Sequence, residues 1–359
     1  MIRRRAQRAS RSRLLPTRLG TIGLSDEWRA WLIENVALGV EDEELTAALR
    51  TAGVSGVLAA REIAAARRSP AALGARRVAL RLRQHELHAR LRRALLRSAS
   101  EWRVERRSGV CEVEFFERYY SAGVPVVLTD VLDPWPATSG WAPDAFKERF
   151  GDAVIQVTTG READPTCDAH FEDFTETVTL REFCDRVTST APTNDFYLVG
   201  NNRAMSHAAL GGLVDDVGGP HPYLDDRRDP GSTSLWFGPP GTRTLLHHDT
   251  ANVLFCQVYG RKRFWLASPA ETSLFRGIHQ GFFAEVDAAT AARPEELGGR
   301  NVRVQEVVLA AREGLFIPVG WWHEVEALSV SISLSLTAFR RSNRFEWYAP
   351  GKVGVPVAD

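Results

Sequence analysis

The chain has 359 residues, of which 44% are hydrophobic and 25% are charged, as in an ordinary globular protein of one large domain or two modest ones. Its apolar runs are too short to cross a membrane as a helix, so we expect no membrane partner. The four cysteines are scattered without a CxxC pair, which argues against a zinc knuckle or a disulfide framework and favours a reducing, cytoplasmic location.

The net charge is zero, but the charges are unevenly distributed along the chain. Residues 1–107 carry 23 Arg, no Lys and 11 acidic residues, which gives +12 and leaves −12 for the remainder. The first 20 residues contain seven Arg and no acid, which favours a basic disordered tail over residues 1–24, with a mitochondrial transit peptide as the alternative. The asymmetry predicts two units with different surfaces.

Residues 25–107 have the patterns of a helical module. Ser25 is a candidate N-cap and Gly39 a candidate stop signal for the first helix. Two more helices precede a long basic one, on which leucines recur near helical spacing at Leu82, Leu87, Leu91 and Leu95. We expect this module to dock on the acidic remainder of the chain or to form a homodimer, with RNA as a less favoured partner of its arginines.

Beyond residue 107 the pattern changes to short strands separated by Gly and Pro. From Ser232 onward strands dominate; the first of them is STSLWFG and the last is SVSISLSLTAF. Short, regularly spaced strands are typical of an all-β sandwich or barrel. We therefore predict a mainly β domain over residues 108–345, followed by a C-terminal tail over residues 346–359.

The segment LLHHDTANVLF, residues 245–255, places three potential metal ligands at the start of an apolar strand. Side chains alternate between the two faces of a strand, so His247 and Asp249 point one way and His248 points the other. A third ligand is offered by His323 in IPVGWWHEVEAL, on a later strand. Two imidazoles and one carboxylate form the facial triad of non-heme Fe(II) oxygenases.

Three motifs carry a resemblance to a known family. They are T-x-x-H-x-D at residues 244–249, Q-V-x-G-R-K at 257–262 and I-P-x-x-W-W-H at 317–323. Over residues 110–340 the chain resembles the cupin-type JmjC oxygenases that use Fe(II), 2-oxoglutarate and O2, nearest to the asparaginyl-hydroxylase-like bacterial group. The resemblance implies a mainly β fold, a double-stranded β-helix, which here carries an N-terminal α-helical module.

The resemblance also implies roles for individual residues. Lys262 matches the lysine that pairs with the distal carboxylate of 2-oxoglutarate, and Thr244 and Tyr197 match hydroxyls that hydrogen-bond the same carboxylate. Strand alternation supports Lys262, because it must face away from the arginines on either side of it. Thr337 stands near the metal-side carboxylate where the family commonly has Asn, and Val253 is a second departure from a family Asn.

The expected activity is that of a 2-oxoglutarate-dependent dioxygenase, a hydroxylase acting on a peptide or protein side chain. Asp249 favours oxygen insertion, since related halogenases replace this carboxylate with a small residue. A small metabolite or a tRNA base is an alternative substrate, and a metal-binding cupin without turnover is an alternative function. The expected walls of the site are aromatic: Trp236, Trp321, Trp322 and Phe339.

Overall fold

The computed structural model describes residues 23–98, 103–164, 166–217, 221–225, 230–272, 275, 282–284, 286–293, 295, 302–343 and 345. The C-terminal tail and all but the last two residues of the basic tail lie outside this range, as do the side chains of Leu82 and Leu95. The chain divides into two compact units between Arg92 and Arg93. Within the described residues, no helix is both long enough and apolar enough to cross a bilayer.

The first unit is helical. Ser25 caps its first helix by accepting a hydrogen bond from the Trp28 amide, and Gly39 ends it at φ 79°, so both signals are confirmed. Its apolar core joins the first three helices through residues such as Trp28, Leu49 and Ile63. The helices are α1 (Asp26–Leu38), α2 (Asp42–Thr51), α3 (Gly56–Arg68) and α4 (Pro70–Ser98).

The second unit is built mainly from strands. They are β1 (Glu105–Arg107), β2 (Val126–Leu128), β3 (Val154–Thr159), β4 (Thr175–Thr179), β5 (Phe196–Tyr197), β6 (Thr233–Gly238), β7 (Arg243–His248), β8 (Val253–Tyr259), β9 (Lys262–Ala267), β10 (Val304–Leu309), β11 (Gly314–Ile317), β12 (Trp322–Ala327) and β13 (Ser331–Leu336). The short helices are α5 (Glu112–Glu114), which continues into a π-helix (Phe115–Tyr120), α6 (Ala137–Gly140), α7 (Pro143–Phe150), α8 (Leu180–Ser189) and α9 (Ala288–Ala291). The 3₁₀ segments include Arg161–Ala163, Cys167–Phe174, which is kinked at His170, Gly200–Asn202, Ala204–Ser206, Ala208–Leu213, Pro230–Ser232 and Pro269–Glu271.

The strands form two main sheets and one small one. The large sheet has the order β1-β2-β11-β8-β13-β6, the second has the order β10-β9-β12-β7, and the third has the order β4-β3-β5. Among the described pairs only β1 and β2 run parallel. The prediction of a mainly β, double-stranded β-helix is confirmed, and its first strand begins at Glu105.

The two main sheets enclose an apolar core. Phe255 and Ile317 reach into it from the large sheet, and Phe264 and Val325 reach into it from the second sheet. These residues alternate with outward-facing ones because side chains in a strand have a period of two. The apolar run after Asp249 is therefore β8, a central strand of the large sheet that borders the candidate site.

Candidate metal and cosubstrate site

The three predicted ligands lie together at one end of the second sheet. β7 and β12 are antiparallel neighbours, and their register places His247 directly opposite His323. Asp249 follows β7, and its carboxylate Oδ2 lies 3.7 Å from His323 Nε2. One ligand atom from each of His247, Asp249 and His323 lies within 4.8 Å of the other two.

Backbone carbonyls hold both imidazoles in one orientation. His247 Nδ1 lies 2.7 Å from the Leu245 carbonyl, and His323 Nδ1 lies 3.0 Å from the Trp321 carbonyl. A carbonyl can only accept a hydrogen bond, so we assign the proton of each ring to Nδ1. Each Nε2 therefore presents a lone pair, the state that a metal ligand requires.

The protonation state of the cluster also suits a cation. His323 is 4% exposed, and its burial, reinforced by the neighbouring His247, lowers its pKa to about 4. The ring is therefore neutral at physiological pH. Two imidazoles and a carboxylate, with no thiolate in the cluster, are the donor set that fits Fe(II) better than structural zinc.

His248 points away from this cluster. It is 9% exposed, and its ring packs edge-on against Trp322 with centroids 4.7 Å apart. Leu246 and Trp322 belong to the apolar cluster on the outer face of the second sheet. The alternation of β7 therefore directs the His247 ring toward Asp249 and His323 and the His248 ring toward Trp322, although His248 also borders the cavity.

Lys262 lies inside the barrel at the start of β9. It is 1% exposed, and its Nζ donates a hydrogen bond of 2.7 Å to Tyr197 Oη. The rings of Tyr197, Trp236 and Phe255 surround Nζ at 5.2 to 5.9 Å. Burial lowers the pKa of Lys262 to about 7, and no carboxylate of the described residues lies within ion-pair distance of it. A buried amine in this state fits an anionic ligand, because burying a charge without a partner is costly.

The hydroxyl groups that were predicted to bind 2-oxoglutarate lie near Lys262. The Thr244 hydroxyl is a hydrogen-bond partner of Tyr197, whose pKa is raised by burial. Tyr197 therefore remains a phenol that can donate a proton to an acceptor. Thr337 also borders the site, although its own hydroxyl donates to the Ser232 carbonyl at 3.2 Å.

One cavity of about 500 Å³ joins these groups. It is lined by all seven residues that were predicted to bind the metal or 2-oxoglutarate: Tyr197, Thr244, His247, Asp249, Lys262, His323 and Thr337. Val253, the second departure from the family pattern, lines it as well. The described structure therefore brings the predicted metal and cosubstrate groups into a single space.

Three of the four predicted aromatic walls are wrong. Trp236 lines the cavity, but Trp321 packs in the core between the main sheets and Trp322 packs on the outer face of the second sheet. Phe339 stacks against Phe115 on the far side of the large sheet, with ring centroids 6.1 Å apart. Adjacent residues such as Trp321 and Trp322 cannot both face one cavity from a strand.

The mouth of the cavity contains residues that sequence reasoning missed. Phe171 lies in the 3₁₀ segment Cys167–Phe174, and Phe282 and Phe283 lie between β9 and α9. Phe283 forms a bridge with His247, and their ring centroids are 5.7 Å apart. No local pattern marks these phenylalanines, because an aromatic pair outside a strand is indistinguishable from core packing.

The chain is similar in sequence to several curated proteins. Lysine-specific demethylase JMJ30 of Arabidopsis thaliana is 29% identical over 251 residues, which cover 67% of this chain and 55% of the relative. Jumonji C domain-containing protein 5 of Drosophila melanogaster is 28% identical over 233 residues, which cover 62% and 56%. JmjC domain-containing protein D of Dictyostelium discoideum is 32% identical over 246 residues, which cover 62% and 53%. The chain spans about half the length of these curated relatives.

The family profile described as a cupin-like domain matches residues 112–339. The match covers more than half of the chain and includes every strand from β2 to β13. The resemblance to JmjC cupin proteins, based on the three motifs, is thereby confirmed. The chain belongs to the family of cupin-like domains.

Proposed function

We propose that this protein is an Fe(II)- and 2-oxoglutarate-dependent oxygenase that hydroxylates a side chain of a peptide or protein. One observation carries the proposal: the cluster of His247, Asp249 and His323 shares a cavity with the amine of Lys262, which is buried and has no carboxylate partner among the described residues. Metal ligands alone would suit many cupins. The buried amine adds the need for an anion at a fixed place in the same cavity.

The residues of the metal cluster would hold iron from one side. His247 and His323 present their Nε2 atoms and Asp249 presents its carboxylate, which leaves the opposite side open to small molecules. With 2-oxoglutarate and dioxygen, the bound iron supplies the oxidising chemistry that converts a C–H bond to C–OH while 2-oxoglutarate becomes succinate and CO2. The carbonyls of Leu245 and Trp321 keep the ligands oriented throughout.

The amine and hydroxyl groups would hold the distal carboxylate of 2-oxoglutarate. Lys262 supplies the counter-charge, and the hydroxyls of Tyr197 and Thr244 supply hydrogen bonds. The rings of Trp236 and Phe255 keep water away from Nζ, which strengthens an ion pair formed there. Thr337 borders the same space, where it can contact the other end of the molecule.

For the substrate we propose an unmodified protein side chain, which would be hydroxylated. The second candidate is a methylated lysine side chain, which would be demethylated. Four relatives carry the name lysine-specific demethylase. The mouth offers the rings of Phe171, Phe282 and Phe283, and aromatic faces attract alkylated ammonium groups. Hydroxylation of an N-methyl carbon would produce an unstable adduct that releases formaldehyde and restores the N–H group.

Succinate release tests the activity. The protein is incubated with Fe(II), 2-oxoglutarate and either unmodified or lysine-methylated peptides, and His247→Ala serves as the metal-free control. We expect iron-dependent succinate that a suitable peptide stimulates, and a mass spectrum showing either one added oxygen atom or the loss of a methyl group. Iron-loaded protein that releases no succinate under any of these conditions would instead be a metal-binding cupin without turnover. Stimulation by tRNA or a metabolite alone would refute the protein substrate.

For the location we propose the cytoplasm, on the state of the thiols. Cys111, Cys167, Cys184 and Cys256 are all free of disulfides. Reducing compartments keep thiols in this state. Fractionation of cells that produce the full-length protein tests the proposal.

A further inference from the structure

β7, the strand that carries Thr244 and His247, lies at an edge of the second sheet. In the sheet order β10-β9-β12-β7 its one neighbouring strand is β12, and on its outer side residues 282–284 hydrogen-bond its second half at Leu246 and His248. An edge strand leaves one row of backbone N–H and C=O groups outside the ladder. The positions of the metal ligand and of the cosubstrate hydroxyl therefore depend on what holds that outer row.

A buried ion pair holds the first half of the outer row. Arg161 Nη1 lies 2.9 Å from Asp168 Oδ1, an ion pair without the alignment of a hydrogen bond. The other oxygen of Asp168 accepts a hydrogen bond of 3.0 Å from the Leu245 amide. Arg161 Nη2 donates to the Arg243 carbonyl at 2.7 Å, and the Asn194 side chain accepts from the Arg243 amide at 2.8 Å. Two successive outward-facing residues of β7 are thus fixed from one side.

The Leu245 peptide connects this pair to the metal cluster. Its N–H donates to Asp168, and its carbonyl accepts from His247 Nδ1. Asp168 thereby acts on the imidazole through one peptide unit. Thr244 lies between the two anchored residues, and its hydroxyl partner Tyr197 lies beneath the Arg161 guanidinium, 5.6 Å from the ring centroid.

The burial of the pair indicates more than a contribution to stability. The side chain of Arg161 is fully buried and that of Asp168 is 9% exposed. Buried ion pairs lose much of their attraction to desolvation, and apolar residues of similar size often stabilise a protein as well or better. We propose that Arg161 and Asp168 are positioning residues that set the direction of His247 and the place of Thr244. This inference rests on the proposed function only through the metal site.

Cobalt(II) titration of the full chain tests the role, because Co(II) reports its ligand geometry in its visible spectrum without any turnover. Asp168→Ala should weaken Co(II) binding about 10–100-fold, the usual effect of losing a group that orients a ligand, and should alter the spectrum. Asp168→Asn retains one oxygen for the Leu245 amide, so its affinity should fall between those of Ala and the parent. The matched control is Asp216→Ala, which removes a carboxylate that likewise joins an arginine, Arg149, to a second donor, the Trp141 indole.

The control should lose stability without losing Co(II). Equal affinity and spectrum in the parent and Asp168→Ala would overturn the proposal, as would an equal loss in Asp216→Ala. If Asp168→Ala does not fold, Arg161→Lys provides the test instead. This variant keeps the positive charge but loses the guanidinium group, whose Nη2 donates to the Arg243 carbonyl. A parent-like spectrum in the folded variant would overturn the proposal. Parent protein that binds Co(II) through His247 but never releases succinate would refute the oxygenase and leave the positioning role standing.

Discussion

Adjacent histidines on β7 have opposite environments. His247 lies beside His323 on the neighbouring strand, with ring centroids 4.1 Å apart, whereas the ring of His248 packs on Trp322. The backbone is the same for both, so only the alternation of the strand separates the proposed metal ligand from a packing residue.

Single alanine substitutions should therefore separate the two roles. We expect His247→Ala, Asp249→Ala and His323→Ala each to remove most bound iron, because each supplies a ligand atom. His248→Ala should retain iron while losing roughly 0.5–3 kcal/mol of stability from the outer core. Metal analysis of purified protein and thermal melting measure the two effects. Loss of iron from His248→Ala as complete as from His247→Ala would refute the ligand assignment.

Lys262→Ala should weaken 2-oxoglutarate binding and leave the metal in place. Leaving a buried carboxylate unpaired costs on the order of 2–5 kcal/mol. Arg263→Ala is the matched control, since this neighbouring cation faces outward and pairs with Glu306 and Glu326. Calorimetry gives the affinity for each variant. Parent-like affinity in Lys262→Ala would show that another residue supplies the counter-charge. Arg243, a nearby cation on β7, is already paired with Glu324.

The binding of 2-oxoglutarate should depend on pH. Burial lowers the pKa of Lys262 from 10.5 to about 7 in the free site, so the amine is mostly neutral above that pH. A bound dicarboxylate favours the charged form, and binding at pH 8 should take up close to one proton and weaken as the pH rises. Calorimetry in two buffers of different ionisation enthalpy measures this uptake, and its absence would contradict the shift.

The same pKa shift makes the free energy of unfolding rise with pH, whereas it makes 2-oxoglutarate binding weaken with pH. The unfolded chain keeps the Lys262 proton up to about its ordinary pKa of 10.5, whereas the folded, ligand-free protein releases it near 7. The unfolded state therefore binds more protons between these values, so the cost of burying the charged amine falls, and stability rises, as the pH rises through that window.

At the scale of elements, the turn between β8 and β9 sets where Lys262 enters the barrel. Gly260 has φ +76°, and an added Cβ would lie 1.9 Å from the Val330 carbonyl oxygen. Gly109 has a similar φ of +64° but open space around it. The two glycines therefore separate the effect of backbone conformation from the effect of a steric clash.

We expect Gly260→Ala to lower the melting temperature much more than Gly109→Ala. Both changes carry the cost of a left-handed residue, about 1–2 kcal/mol, and only the first adds a clash with backbone. Displacement of the turn should also weaken 2-oxoglutarate binding by moving Lys262. Thermal melting and calorimetry on both variants provide the comparison. Equal losses of stability would show that the turn relaxes around the new Cβ.

At the scale of the molecule, every residue assigned to the site lies in the second unit. The first strand of that unit, β1, pairs with β2, and the Val104 amide donates to the side chain of Gln305 in β10. A truncated chain should therefore begin at Arg103. A chain that began at Gly109, close to the domain boundary drawn from the sequence, would lack β1. Docking of residues 25–107 on the acidic domain, or their dimerisation, stays a prediction.

A chain that begins at Arg103 should bind iron with parent-like stoichiometry, because it retains all ligands and the strands that carry them. If the helical module covers an apolar surface, the truncated chain should also be less soluble. Iron content, sedimentation and 2-oxoglutarate turnover without substrate measure these effects. Loss of iron in truncated protein that remains folded would make the helical module part of the site.

The sequence by itself determined which side chains face inward on two of the strands. His247, Asp249 and Lys262 could be selected from their neighbours because side-chain direction in a strand is a local property with a period of two, and His323 was selected from its motif. The motif spacing then connected them to one family, which implied the roles of Tyr197 and Thr244 and the paired sheets around them.

Only the tertiary structure decided what surrounds those residues. Asp168 reaches the amide of Leu245, and Phe283 reaches the ring of His247, from segments far away in the chain. Trp321 and Trp322 were assigned to the wrong place for the same reason: whether an aromatic side chain lines a cavity depends on which other elements pack against its face. That choice is made by long-range packing of the whole barrel, and no local pattern of residues encodes it.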